Sequence, residues 1–296
     1  MVQVEPDLDP VVETETRSFW TYFWHNRLLV VGLSAVALWV VIALMAPILA
    51  PYNPNQPDML ARLLPPSPAH LLGTDEYGRD VLSRIMFGAR ISVFVAVVSV
   101  GASILVGLPF GLFSGYRGGL SADVVMRLMD ILLAFPSLVL ALAVGAAVGP
   151  GVLGEIIAIG LVNIPIYARL AQAQTMTVKS LTYVESARAM GSSFFRIAKD
   201  HILPNMFAPV LVQATLGLGF AVLTAASLSF LGLGIQPPTA EWGSMISDGS
   251  QYVVTGQWWM SVFPGIAIMS LVFAFNVAGD GLRDLMDPRS RKRTGG

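Results

Sequence analysis

Side chains able to do chemistry are scarce in this 296-residue chain. There is no cysteine, which excludes thiolate nucleophiles, thiolate metal ligands and disulfides. The three histidines, His25, His70 and His201, stand far apart, with neither the HxxxH nor the HExxH spacing that holds a metal. A phosphate-cradling GxxxxGK[ST] loop needs a Gly-Lys step, yet Lys179, Lys199 and Lys292 follow Val178, Ala198 and Arg291. No catalytic residue and no metal site is assigned. Two polar constellations remain. Asp75, Arg79, Asp80 and Arg84 have helical spacing and suit local ion pairs, worth a few tenths of a kcal/mol each. The stretch 183–205 combines small, aromatic and charged residues in a pattern suited to contact with another protein.

The composition says what must position these residues. Only 12% of residues are charged and 54% are hydrophobic, where a soluble domain carries about 25% charged residues. Too few charges are present to cover a water-exposed surface. With a net charge of −1 and no basic face, a nucleic-acid partner is excluded. The expected fold class is an all-α integral membrane protein. A bilayer core needs about 20 apolar residues per helix, and a charge at a helix centre costs about 2.5–3.5 kcal/mol. Runs poor in charge therefore locate the spans: 28–50, a run bounded by Arg90 and Arg117, one bounded by Asp130 and Glu155, then 152–171 with Glu155 near its outer end, 206–233 and 258–278, six in all. Of the 18 Lys+Arg, fourteen fall in segments on one side of this arrangement and four (Arg62, Arg79, Arg84, Arg90) on the other. The Lys/Arg bias puts both termini in the cytosol.

The expected division of the chain follows. Residues 1–16 form an acidic tail, and 17–27, with five aromatics between Arg17 and Arg27, a helix at headgroup level. The first span is 28–50 and the longest outer segment is 51–89, rich in proline. A five-helix core occupies 90–281 with the cytosolic segment 172–205, and 282–296 form a basic tail. Gly107, Gly111 and Gly115 make a GxxxGxxxG row, repeated in part by Gly145 and Gly149, which suits close helix packing in lipid. Pro109, Pro136, Pro165, Pro209 and Pro264 are expected to kink their helices. Asp130 has the i, i+3 spacing to pair with Arg127 at the cytosolic end of its span, and Glu155 is expected near the outer surface. A span core so poor in carboxylates argues against a proton-coupled carrier working alone, although a sodium site built from carbonyls would escape this test.

Within 172–205, the stretch Tyr183-Val-Glu185-Ser186-Ala187-Arg-Ala-Met-Gly191 suits a short helix with a small face at Ser186, Ala187 and Ala189. Gly191 can take the left-handed conformation that ends a helix. Ser192 or Ser193 can cap a second helix, and Pro204 can break the chain before the fifth span. Physical chemistry alone leaves two readings open, an ordered loop and a knob that docks on another protein.

The residues Glu185-x-Ala187-x-x-x-Gly191, followed after nine residues by His201-x-Leu203-Pro204, resemble the EAA motif of ABC-importer permease subunits, with Glu-Ser-Ala in place of Glu-Ala-Ala. The stretch from Leu72 through Gly73, Thr74, Asp75, Gly78, Arg79, Asp80, Ser83 and Arg84 to Ser92 is similar to the outer segment of the second permease of dipeptide, oligopeptide and nickel systems. The resemblance spans about residues 20–288. It implies a type I importer permease fold in the bacterial inner membrane. It further implies a distinct but homologous permease partner, two ATP-binding subunits carrying ATP and Mg, and an extracytoplasmic solute-binding protein. Tyr183, Glu185, Ser186, Ala187, Gly191, His201, Leu203 and Pro204 would then belong to the ATPase-coupling segment. The outer motif is expected to act as a structural latch near the outer mouth. Which cargo is carried (peptide, nickel chelate, glutathione or another small solute) is not specified by these motifs.

The charge bias yields a direct expectation. Because the chain has no native cysteine, Ser67→Cys should react with an impermeant thiol reagent in intact cells and Ser193→Cys should not. Labelling of Ser193→Cys from outside would contradict the topology.

Overall fold

The computed structural model describes residues 26–286. The acidic segment 1–16, most of the expected headgroup helix and residues 287–296 of the basic tail lie outside the described residues. Apart from one β-bridge between Thr74 and Asp80, the regular structure is helical. In chain order the helices are α1 (Arg27–Leu49), α2 (Val81–Arg117), α3 (Gly119–Ala134), α4 (Ser137–Val148), α5 (Val152–Lys179), α6 (Thr182–Ala189), α7 (Phe194–Ile197), α8 (Leu203–Phe230), α9 (Trp242–Ser250) and α10 (Trp259–Met286). Five helical stretches are long and apolar enough to cross a membrane, and α3 with α4 form a pair bent by 95°.

The packing of α2 on α5 shows what that pair does. Gly107 lies against Ile164 and Tyr167, Gly111 against Ala168 and Ala171, and Gly115 against Gln172 and Thr175. Sequence numbers rise together along both helices, so α2 and α5 run parallel. The chain between them must return across the bilayer, and only α3 and α4 lie there. The bent pair is therefore the sixth crossing. Its break falls at Phe135-Pro136, where proline offers no N–H and biases the residue before it away from helix. Pro109, Pro165, Pro209 and Pro264 sit inside continuous helices.

Several element ends differ from the sequence expectation. Helix α2 starts at Val81, not near Arg90, because Asp80 caps it: the Ser83 N–H donates to Asp80 Oδ2 at 2.8 Å. Charges mark where lipid begins, and a helix can extend beyond that point. Pro204 does not break the chain. A widened π turn over Ala198–Ile202 joins α7 to α8 and accommodates the missing proline N–H. Helix α10 runs to Met286, past the expected boundary at 281. Gly145 makes only ordinary contacts with Leu228 and Leu233, and Gly149 ends α4 at positive φ, so those two glycines do not form a second close seam. Asp130 pairs with Arg169 of α5, not with Arg127; a partner on a neighbouring helix leaves no trace in local spacing.

Helices α2, α5 and α10 pack on α8, and α1 packs on α10 and α2. Helix α1 lies antiparallel on α10, with Gly32 against Ala278, the Asn26 side chain donating to the Gly281 carbonyl at 3.1 Å, and Trp39 Nε1 donating to Ser270 Oγ at 3.1 Å. One apolar core runs through the span region. A second gathers Leu112, Ala171, Val178, Val184, Ile197, Ile202 and Met206 at the cytosolic end.

A Cβ at Gly111 would stand 2.2 Å from the Ala168 carbonyl oxygen, whereas one at Gly101 would meet nothing within 4 Å. Gly111→Val should therefore destabilise the permease by at least the 1–3 kcal/mol typical of overpacking. Gly101→Ala should be neutral or slightly stabilising. The fraction remaining monodisperse in detergent after graded heating compares the two; equal profiles would contradict the close seam.

Candidate functional site

The cytosolic segment is a helix, a corner and a second helix, as the spacing suggested. Gly191 has φ +85° and nothing within 4 Å of a Cβ position, so its conformation, rather than crowding, calls for glycine. The Ser192 N–H donates to the Ala187 carbonyl at 3.1 Å and the Gly191 N–H to the Arg188 carbonyl at 2.9 Å, a complete Schellman closure of α6. Ser193 stands at the N-cap position of α7, but its side chain makes no capping bond.

The cytosolic core fixes this knob to the spans. Val184 and Ile197 pack with Leu112 of α2 and with Ala171 and Val178 of α5. Tyr116 of α2 stacks against Phe194 with ring centroids 4.7 Å apart. Lys179 Nζ donates to the Gly115 carbonyl at 2.7 Å, a cation set on the carbonyl end of α2. Tyr183 and His201 meet edge to face at 5.6 Å, and the Asn205 side chain donates to both the Tyr183 hydroxyl and the His201 carbonyl. The knob is continuous with α2, α5 and α8.

Burial divides the expected residues into two groups. Glu185, Ser186, Gly191, Leu203 and Pro204 are exposed, and among the described residues the Glu185 carboxylate has no bonding partner. Ser186 Oγ is turned back to the Thr182 carbonyl at 2.9 Å. Ala187 is buried, which corrects the expectation that it belongs to an outward small face: its size serves the packing of the knob on its own chain. The outward surface carries two residues the sequence reading passed over, Met190 and Phe195, each 81% exposed. The signal in the sequence was the placement of two large apolar residues, Met190 and Phe195, on either side of the corner Gly191 in a segment outside the spans.

The outer motif forms a buried ionic network, not the surface pairs expected from helical spacing. Asp75 to Gly78 is a turn, with α2 starting only at Val81. Asp75 Oδ1 accepts from the Tyr77 and Arg79 N–H groups at 2.9 Å each, Asp75 Oδ2 accepts from Arg79 Nε at 2.6 Å, and Arg84 Nε stands 3.5 Å from that same oxygen. Arg84 also donates to the carbonyls of Pro54 and Pro238, tying the two outer segments together. Asp80 takes the Ser83 N–H, the Ser83 hydroxyl and His70 Nδ1. Thr74 is held between the Ala61 carbonyl and the Leu64 N–H, and its own carbonyl accepts from Trp259 Nε1 at 3.1 Å. At Gly78, a Cβ would overlap the Asp58 carbonyl at 1.8 Å. Asp75, Arg79 and Arg84 are all buried. Removing one partner of such a pair strands a buried charge and costs about 3–5 kcal/mol, roughly ten times the surface expectation.

Asp75, Glu76, Arg79, Arg84 and Asp248 surround a cavity of ≈ 10 Å³, room for about one water. Three carboxylates face two guanidiniums there. Burial pushes the Glu76 carboxyl above its ordinary range, and the Asp75 charge adds to the effect. Burial also pushes Asp248 up, against the pull of Arg79 and Arg84. Among the described residues no group of three or more His, Cys, Asp and Glu side chains has the arrangement to hold a metal ion.

Comparison with known proteins places this architecture. The family described as the inner membrane component of binding-protein-dependent transport systems matches residues 107–292, and the N-terminal transmembrane domain of oligopeptide transport permease C matches residues 14–66. The chain is 45% identical over 289 residues to the dipeptide transport system permease protein DppC of Escherichia coli, with 96% of each chain covered. It is 44% identical over 292 residues to the di/tripeptide transport system permease protein DppC of Pseudomonas aeruginosa, again with 96% of each covered. It is also 41% identical to the glutathione transport system permease protein GsiD of Pectobacterium atrosepticum, covering 95% of this chain and 93% of that one. Among solved structures, an inward-facing MetNI methionine ABC transporter chain aligns with TM-score 0.57 and 21% identity, over 70% of this chain and 98% of the other. At that identity the likeness supports the fold.

The raised carboxyls of the outer network carry a pH prediction. Because Glu76 and Asp248 titrate higher when folded than when unfolded, the folded state holds protons the unfolded state would release. Stability of residues 51–80 should therefore fall as pH rises from the ordinary carboxylate range through the folded values. Amide exchange in that segment, corrected for intrinsic rates, should be faster at the alkaline end, and Glu76→Gln with Asp248→Asn should flatten the trend. Exchange independent of pH in the wild type would contradict it.

Proposed function

Because the chain belongs to the inner-membrane permeases of binding-protein-dependent transport systems, in the branch of the DppC- and OppC-like ABC permeases, we propose that it forms one half of the translocation path of a peptide importer. Di- and oligopeptides are the cargo class, on the strength of the cargo named for its relatives in Escherichia coli and Pseudomonas aeruginosa. A homologous but distinct permease supplies the other half. Two cytosolic subunits bind ATP and Mg and hydrolyse the nucleotide, and an extracytoplasmic solute-binding protein delivers the cargo. This chain performs no chemistry of its own.

The observation that carries the coupling assignment is the construction of the knob. Its outward side presents the exposed Glu185 carboxylate, Met190 and Phe195, while its inward side is locked to the ends of α2 and α5 and runs through the π turn into α8. A surface with free polar and apolar groups has something to offer a cleft. A rigid root has something to transmit. On this reading, closure of the ATPase subunits displaces the knob, which carries α2, α5 and α8 with it and switches access between the two sides of the membrane. Glu185 would offer a charge-assisted hydrogen bond to the ATPase surface, worth about 1.5–3 kcal/mol.

Gly191→Val forces a branched residue into the left-handed corner at a cost of about 1–2 kcal/mol, and Met190→Glu charges the outward surface. Both lie outside the membrane, so each variant should reach the membrane at normal levels yet lose transport and binding-protein-stimulated ATP hydrolysis together. Glu185→Gln keeps the shape and should be milder. The assay is the purified complex in nanodiscs, with ATPase retention and ATPase stimulation measured side by side. Wild-type transport by both Gly191→Val and Met190→Glu would remove the coupling assignment.

A further inference from the structure

Three elements meet at the outer end of the bundle around two carboxyl groups that the importer reading does not use. Glu155, in the first turn of α5, is 1% exposed, and Glu241, the residue capping α9, is 2% exposed. Between them stands Ser229, in the last turn of α8. Its hydroxyl donates to Glu155 Oε1 at 2.6 Å, accepts from the Ile235 N–H at 3.3 Å and lies against the Glu241 carboxyl. Gly234 completes the enclosure: a Cβ there would come within 1.9 Å of Ser229 Oγ and 2.2 Å of Glu155 Oε1.

We propose that Glu155, Ser229 and Glu241 form a buried proton-binding site that fastens the outer ends of α5 and α8 to the 231–241 segment.

The charge balance requires a proton. Among the described residues no Lys, Arg or His forms an ion pair with either carboxyl. Helix α8 brings only Ser229 to the site, and the 231–240 segment contains no titratable side chain. Arg90 of α2 lines a neighbouring groove with Val152, and neither Glu155 nor Glu241 lines that groove. Two anions enclosed together without a cation cannot both stay ionised, so the pair shares a proton. The donors decide where it sits. Glu241 collects the Gly243 and Ser244 N–H groups at 2.9 and 2.8 Å, one on each oxygen, at the start of a helix. Burial pushes the Glu241 carboxyl up, and those bonds act against it by favouring the ionised form. Glu155 has the serine hydroxyl on one oxygen, while its Oε2 is buried without any partner. Glu155 is the group that holds the proton. Loss of that proton would set two buried negative charges against each other across Ser229 and drive the 231–241 segment away from α5. The outer closure would loosen as pH rises.

The site rests on this chain's own side chains and not on the identity of the cargo, so its test includes a reading made without transport. Infrared spectra of the purified permease complex in nanodiscs at neutral pH should contain a deuterium-sensitive band of a protonated carboxyl, and Glu155→Gln should lose it. Transport should decline toward alkaline pH in the wild type, and Glu155→Gln should lose that decline. Ser229→Ala removes a donor that favours the ionised form, so it should move the decline to higher pH; it serves as the second variant where Glu155→Gln fails to assemble. A band that persists in Glu155→Gln, or an alkaline decline that neither variant moves, would overturn the site. Absence of ATP-driven uptake with the band present would count against the importer reading alone.

Discussion

The close approach of α2 and α5 is the constraint on which the rest of the structure depends. Lipid tails are as apolar as leucine side chains, so helices in a bilayer gain little from hiding hydrophobic surface and must gain from contact. Gly107, Gly111 and Gly115 let the α5 backbone come to distances that any Cβ would forbid, and this pair makes the most extensive contact between elements of the described chain. The parallel register of the seam obliges α3 and α4 to recross the membrane. It also brings Lys179 onto the α2 carbonyl end and sets the cytosolic ends of both helices side by side as the floor on which the 182–202 knob is built.

Polar groups are placed where that scaffold leaves room for them. At the outer end they turn inward, since Asp75, Arg79 and Arg84 are buried and serve to hold the 51–80 segment and the 237–241 segment together. At the cytosolic end they turn outward, with Glu185 exposed and without a partner among the described residues. The contrast is the one that the proposed roles of latch and contact surface require. A latch must satisfy its charges within the chain, whereas a docking surface must leave some unsatisfied until a partner arrives.

The spans, their number and the knob with its glycine corner were legible in the sequence because each rests on a local rule: charges are excluded from lipid, and a left-handed residue after a short helix favours glycine. What the sequence withheld depends on contacts between distant elements. Asp130 has Arg127 at pairing distance along its own helix but takes Arg169 from α5. Asp75, Arg79, Asp80 and Arg84 have helical spacing, yet their burial comes from the outer segments folding over them, with Trp242 and Trp259 donating to the Ile85 and Thr74 carbonyls. Glu155 is expected near the outer surface from its place at the end of an apolar run, but its burial comes from the meeting of α5, α8 and α9, which local spacing does not show. Ala187 belonged to a small face by composition, and its direction toward its own chain is set by the packing of Val184 in the same helix.

The proposed coupling requires that the knob and the glycine seam move as one body. Spin labels at Ser193→Cys, on the exposed corner of the knob, and Arg117→Cys, at the exposed end of α2, test this in the assembled transporter, on a chain with no competing thiol. The distance distribution between them, measured nucleotide-free and with ATP trapped, should be the same in width and position. A distance that shifts between the two states while the ATPase subunits stay bound would mean that the knob moves independently of α2 and that the seam is not the lever.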